Sequence, residues 1–230
     1  MAVLLQGEEM IRLDYKFMKI PLFMYCAVVV IFLCLLFFFP DLFSAVEINS
    51  GVFKSNIFCF LDFILPFISS VAVIMQLGGT FEPKTYDFIC SLPIKSTLVI
   101  RWLRSATFFI IIQLICIILS YNVIDIEIGL GRMCYICLAN TVLFLSLALL
   151  ITLLVRQIFY VFCILYGYLF IDLIVGDNVF QEKSVFVNIF ANFSCTVINV
   201  NRLVVYCISV FCVIISILVT KLFYKNIQPS

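Results

Sequence analysis

The chain has 230 residues, of which 65% are hydrophobic and 12% are charged, and its formal net charge is +1. A water-soluble domain is about half apolar and about a quarter charged, so one small core could not hide this much apolar surface. A net charge this close to zero also leaves no overall positive field that would attract nucleic acid. The composition therefore indicates a protein whose partner is the lipid bilayer and not a nucleic acid.

Histidine is absent, and eleven cysteines are present. The lack of histidine excludes Ser-His catalysis and histidine-ligated zinc. The cysteines are scattered through apolar runs, where cysteine acts as a small hydrophobic residue. One C-x-x-C spacing, Cys134–Cys137, has no second pair to complete a metal site. We predict no catalytic residue, no metal and no cofactor in this chain.

Six continuous apolar runs are long enough to cross a membrane as helices. They are Ile20–Phe39, Ile57–Leu77, Leu98–Tyr121, Met133–Val155, Ile158–Val175 and Leu203–Phe223. A barrel would need alternating apolar and polar residues, so unbroken runs leave helices as the only spanning structure. We predict an all-α polytopic membrane protein with one transmembrane domain over residues 1–230.

The segment before span 1, residues 7–19, is amphipathic. Met10, Leu13 and Phe17 recur at helical spacing, and charged residues lie between them. This pattern is typical of a helix that lies in the membrane surface. We therefore predict an N-terminal interfacial helix.

Spans 2, 5 and 6 carry polar residues that lipid does not solvate. The candidate substrate-pathway residues are Asp62, Ser69, Gln76, Asp172, Tyr206 and Ser209. Small polar residues of this kind also serve simply to pack helices together. The two acids either bind a cation or the basic part of a substrate, or pair with Arg202 or Arg132, or lie in an interface. Gln113 and Asn140 are expected to bridge helices by hydrogen bonds.

The connection between spans 2 and 3 is polar and contains a second amphipathic pattern. Phe81, Thr85, Phe88, Ile89 and Leu92 recur at helical spacing, and Pro93 ends the pattern. The interpretation is a short, stiff helix over residues 82–95. It either covers lipid as an interfacial helix or presents apolar anchors to a groove on a soluble partner.

The connection between spans 5 and 6, residues 176–202, is too long for an idle loop. Its apolar half, Val185–Phe193, is expected to fold back against the helices, which makes the loop partly re-entrant.

The distribution of Lys and Arg predicts the orientation. With the N-terminus in the cytoplasm, ten of the fourteen basic residues lie inside and four lie outside. The outer four are Lys54, Arg132, Lys183 and Arg202. We predict that both termini are cytoplasmic.

The residues between spans 2 and 3 resemble a known family. Glu82, the sequence Ser91-Leu92-Pro93-Ile94, and the following Lys95 and Ser96 match the pattern found in permease subunits of type-2 ATP-binding-cassette (ABC) exporters. The order of elements also resembles that of the short bacterial members of the family, which lie in the bacterial inner membrane.

The resemblance implies that residues 82–95 are a coupling segment for a separate, soluble ABC ATPase, which binds the ATP and Mg²⁺. The implied contact residues are Glu82, Tyr86, Phe88, Ile89, Leu92 and Pro93. In agreement, the chain has no G-x-x-x-x-G-K-[ST] loop of its own, so we expect no ATPase activity from it. The resemblance further implies a second permease subunit, most simply a homodimer, and export of an apolar or amphipathic substrate such as a small peptide, toxin, antibiotic or lipid-like molecule. The alternative is a stand-alone membrane binding or channel protein.

Overall fold

The computed structural model describes residues 2–44, 47–49, 52–54, 56–81, 97–124, 129–175, 183–186 and 195–227. Its helices are Ala2–Phe38, Asp41–Ser44, Asn56–Cys59, Leu65–Gly78, Thr97–Val123, Leu130–Val155, Ile158–Val175 and Cys195–Ile227. A π-helical turn, Phe60–Ile64, joins the third and fourth of these, and a 3₁₀ turn, Gly79–Phe81, follows the fourth.

Within the described ranges, six helical segments are long and apolar enough to cross a membrane, as predicted for a multi-pass membrane protein. They are Met18–Phe38, Ile57–Gly78, Leu98–Val123, Leu130–Val155, Ile158–Val175 and Thr196–Leu222, numbered spans 1 to 6 below. The ends of the bundle are called outer and inner according to the orientation that the basic residues predict. The outer end carries residues 57, 123, 130, 175 and 196.

Span 4 is at the centre of the bundle and packs against spans 2, 3, 5 and 6. Span 1 packs against spans 2 and 3. Spans 2 and 4 are the most buried, whereas the other four expose large apolar side chains along their length. That exposed surface suits contact with lipid, because hydrocarbon chains leave no drive to bury it.

Residues 7–19 are helical, but no break separates them from span 1. One helix runs from Ala2 to Phe38 and includes Pro21. The structure therefore does not delimit a separate interfacial helix, and its position in the membrane surface stays a prediction.

A two-stranded antiparallel hairpin lies between spans 1 and 2, outside the predicted spans. Strand β1, Glu47–Asn49, pairs with strand β2, Val52–Lys54. The register sets Glu47 opposite Lys54. A loop outside the bilayer can form such a hairpin because water satisfies its open edges.

Span 6 begins earlier than predicted. The sequence placed its start at Leu203 and assigned Arg202 to the outer loop, but the helix begins at Cys195. Arg202 is fully buried inside the span. A charged residue can lie inside a membrane helix when an opposite charge neutralises it, and Arg202 is paired with Asp62.

Gly78 allows the inner ends of spans 2 and 5 to approach closely. A Cβ atom at Gly78 would overlap the side chain of Ile158. Gly78→Ala is expected to lower the free energy of unfolding by about 1–3 kcal/mol, the usual cost of overpacking. The measurement is unfolding in mixed detergent micelles, with Ile158→Ala expected to restore part of the loss.

The matched control is Gly167→Ala, because Gly167 also lies within a span and a Cβ there would meet no atom within 4 Å. Equal stability of the two alanine variants would contradict the close approach.

Candidate functional site

A fully buried ion pair joins span 2 to span 6 near the outer end. The Nη2 atom of Arg202 lies 3.0 Å from Oδ2 of Asp62, and both side chains have 0% exposure. Two charges inside a membrane protein are stable only when paired and further hydrogen-bonded. Of the roles that the sequence left open for Asp62, the structure shows the ion pair with Arg202.

The other terminal nitrogen of Arg202 binds span 4 and the connection between spans 5 and 6. This Nη1 atom donates to Oδ1 of Asn140 at 2.6 Å and to the carbonyl oxygen of Val185 at 3.0 Å. A guanidinium group can hold three acceptors at fixed angles because its donors are coplanar. Arg202 therefore connects three parts of the chain at one point.

The described part of the outer loop, residues 183–186, enters the bundle. Ser184, Val185 and Phe186 are buried. Oδ2 of Asp172 accepts hydrogen bonds from the Val185 amide at 2.8 Å and from the Ser184 hydroxyl at 3.2 Å. The side-chain amide nitrogen of Asn201 donates to the Ser184 carbonyl oxygen at 2.9 Å. Non-helical backbone survives at this depth because side chains of spans 4, 5 and 6 satisfy its polar groups.

The Phe186 side chain anchors this segment by packing between two spans. Its ring meets Phe63 of span 2 and Phe144 of span 4 edge to face, with centroid distances of 5.3 and 5.9 Å. Both geometries are favourable for aromatic pairs. The segment 183–186, called the plug below, is thus held by polar contacts, mostly to its backbone, and by aromatic contacts of the Phe186 ring.

Asp62 lies within the π-helical turn, and the sequence explains how this irregular turn is stabilised. Pro66 has no N–H and cannot donate to the Asp62 carbonyl four residues earlier. Asn140 supplies a donor instead, with its amide nitrogen 3.1 Å from that oxygen. The Gln113 amide nitrogen likewise donates to the Leu61 carbonyl at 2.8 Å.

Asn140 and Gln113 are therefore bridges between helices, as predicted. Besides its bond to span 2, Gln113 of span 3 donates to the Cys137 carbonyl of span 4 at 2.8 Å. Its side-chain oxygen accepts from the Thr141 hydroxyl. π-Helical turns often occur at functional sites, which marks this end of span 2 as a candidate site.

The outer cluster contains three buried ionisable side chains, which are the carboxyl groups of Asp62 and Asp172 and the guanidinium group of Arg202. Arg202 binds the carbonyl of Val185, and Asp172 binds its N–H. Asp172 and Arg202 therefore hold the two consecutive peptide groups on either side of the Val185 Cα atom, and the cluster's evident physical role is to hold the plug.

The other predicted pathway residues in spans 2 and 6 lie outside this cluster. Ser69 donates to the Pro66 carbonyl at 2.8 Å, and Ser209 donates to the Val205 carbonyl at 2.8 Å, each within its own helix. The Tyr206 hydroxyl donates to the Tyr135 carbonyl of span 4 at 2.9 Å. Of the six candidates, only Asp62 and Asp172 meet in one network.

Gln76 belongs to a second polar cluster at the inner end. The Ser105 hydroxyl donates to Oε1 of Gln76 at 2.6 Å, and Nη2 of Arg101 lies 3.4 Å from the Gln76 carbonyl. Arg101 is buried. The cluster ties the inner end of span 2 to the inner end of span 3.

The predicted ATPase-contact residues lie outside the described part of the chain. They are Glu82, Tyr86, Phe88, Ile89, Leu92 and Pro93. Ser184, Val185 and Asn201 were not singled out from sequence. Asn201 could have been identified from its position beside Arg202. Ser184 and Val185 contribute mostly backbone atoms, and backbone contacts cannot be predicted from residue type.

Comparison of the chain with protein-family models, with curated proteins and with solved structures finds no match. A function must therefore be argued from the residues themselves.

Proposed function

We propose that the chain is the membrane-spanning subunit of an ATP-driven exporter of the type-2 ABC kind. It moves an apolar or amphipathic substrate outward and relies on a separate ATPase for hydrolysis. The observation that carries this proposal is the amphipathic, proline-ended segment 82–95 between spans 2 and 3, with its match to the family pattern at Glu82 and Ser91–Lys95. The proposed location is a bacterial inner membrane with both termini in the cytoplasm.

The contacts at the inner end give this segment a way to act on the bundle. The segment leaves span 2 just after Gln76 and enters span 3 just before Arg101 and Ser105, and these residues are hydrogen-bonded to each other. A displacement of the segment by an ATPase would therefore move spans 2 and 3 together. Span 2 in turn carries Asp62, which holds Arg202 at the outer end. Rigid movement of packed elements is a common form of coupling.

The polar interior also favours a subunit over a stand-alone channel. A channel needs polar groups that face a water-filled path. In the described ranges, the pathway candidates of spans 2, 5 and 6 donate to or accept from other protein groups. We therefore place the substrate route between this chain and a second copy, in a homodimer with twofold symmetry.

Affinity purification from the native host membrane tests the proposal. We expect a soluble nucleotide-binding subunit, detected by photolabelling with an ATP analogue, to co-elute with the chain. Phe88→Asp combined with Leu92→Asp is expected to reduce co-elution about tenfold or more, because both residues are proposed anchors of one interface.

The matched control adds an aspartate to the other face of the same predicted helix, as Cys90→Asp, and should retain the ATPase. Retention by the Phe88/Leu92 variant would refute the proposed contact. Absence of any ATP-binding partner from the unmodified chain would refute the exporter.

A further inference from the structure

A groove of about 530 Å³ lies at the side of the bundle, next to the plug. Spans 5 and 6 and the plug form its walls. Roughly 300–1,000 Å³ is the usual size of a small-molecule site. We call it the lateral groove.

The groove follows span 6 along one face and changes character with depth. Its outer end carries Thr196 and Lys183, whereas its deeper part carries Val204 and Ile208. Thr196 and Ile208 are twelve residues apart, or about 18 Å along the helix. The hydrocarbon core is about 30 Å thick, so the groove spans about one leaflet. A polar outer end above an apolar wall fits a molecule that stands in the membrane like a lipid.

The charge at the outer end selects the type of lipid. Lys183 is exposed, and the residues that line the groove include no acid. A lysine at the membrane surface attracts anionic headgroups. We propose that the lateral groove binds one acyl chain of an anionic phospholipid, with the lipid phosphate beside Lys183. This site is independent of the proposed transport activity.

The groove shares a wall with the outer cluster. Val185 lines the groove, and its backbone is held by Asp172 and Arg202. Asn201 also lines the groove and donates to Ser184. A lipid in the groove therefore packs against the plug and stabilises its inserted position.

Fluorescence quenching in vesicles tests this site on the whole chain. Val204→Trp places a reporter in the groove, and the native Trp102 is buried and contributes a constant background. Quenching is compared between brominated phosphatidylglycerol, which is anionic, and brominated phosphatidylcholine, which is zwitterionic. We expect apparent binding to favour the anionic lipid about fivefold, the effect of one basic residue near the surface.

Ile115→Trp is the matched control. Ile115 lies eight residues from the outer end of span 3, as Val204 does from that of span 6, and the two are 49% and 51% exposed. It should show equal quenching by the two lipids. Lys183→Arg should keep the preference at Val204→Trp, and Lys183→Gln should abolish it.

Three outcomes would overturn the site: equal quenching by both lipids at Val204→Trp, a preference that survives Lys183→Gln, or the same preference at Ile115→Trp. Weak quenching by both lipids at Val204→Trp would also overturn it, since another molecule or side chain would then fill the groove. None of these outcomes bears on ATPase co-elution, so this inference and the proposed function fail separately.

Discussion

Arg202→Met is expected to lower the free energy of unfolding by about 3–5 kcal/mol, because removing one partner of a buried ion pair leaves charge without compensation. Asp62 would then be buried without the guanidinium group that lies 3.0 Å from it. Asn140 and Val185 would also lose a donor. Reversible unfolding in mixed micelles of increasing SDS content, followed by circular dichroism, measures the change.

The two partners of the ion pair are expected to be unequal. Asp62→Asn keeps a side-chain oxygen that can accept from Arg202, whereas Arg202→Met removes every donor and leaves the Asp62 carboxyl group buried without its cation. Asp62→Asn should therefore cost less, about 1–3 kcal/mol, the range for a weakened buried hydrogen bond. Combining Asp62→Leu with Arg202→Met should recover part of the loss, since well-packed apolar residues can replace a buried pair.

Arg132→Met is the control, because Arg132 is an exposed arginine near the same end of the bundle. Exposed substitutions usually change stability by no more than about 0.5 kcal/mol. The expected inequality would be wrong if Asp62→Asn cost more than Arg202→Met. A loss for Arg202→Met no larger than that for Arg132→Met would show that the ion pair does not stabilise the bundle.

Hydropathy identifies the six spans because each helix must satisfy its own backbone and present about twenty apolar residues to lipid, which is a local property. The start of span 6 was misplaced for the same reason. A local window registers Asn201 and Arg202 as a polar break, but Asp62, 140 residues earlier in the chain, neutralises the arginine. The sequence could name Arg202 as one possible partner of Asp62, but only the packing of spans 2, 4 and 6 selects it.

The plug and the π-helical turn show a second limit of sequence reasoning. The apolar half of the outer loop suggested that it folds back, and Phe186 does insert between spans. The polar contacts of the plug, however, go mainly to its backbone, which every residue shares. Pro66 indicates a disturbed helix, but the side chains that repair it, Gln113 and Asn140, come from other spans. Their residue types predicted bridging without indicating the partners.

Phe186→Ala is expected to lower the free energy of unfolding by about 3–5 kcal/mol, the range for removing a fully buried phenylalanine. Its ring has 0% exposure and contacts Phe63 and Phe144, so alanine would leave a cavity between spans 2 and 4. The same micelle titration measures the loss. Phe159→Ala is the control, because Phe159 is 72% exposed and should change stability by no more than about 0.5 kcal/mol.

Combining Phe186→Ala with Asp172→Asn tests whether the plug is one unit. Asp172 holds the Val185 amide and the Ser184 hydroxyl, and Phe186 follows directly in the chain. If either substitution alone releases the whole plug, the second substitution removes few further contacts. The double variant should then lose less free energy of unfolding than the sum of the two single losses. Fully additive losses would mean that the backbone contacts and the aromatic contacts act independently. A Phe186→Ala loss no larger than that of Phe159→Ala would show that the plug does not pack into the bundle.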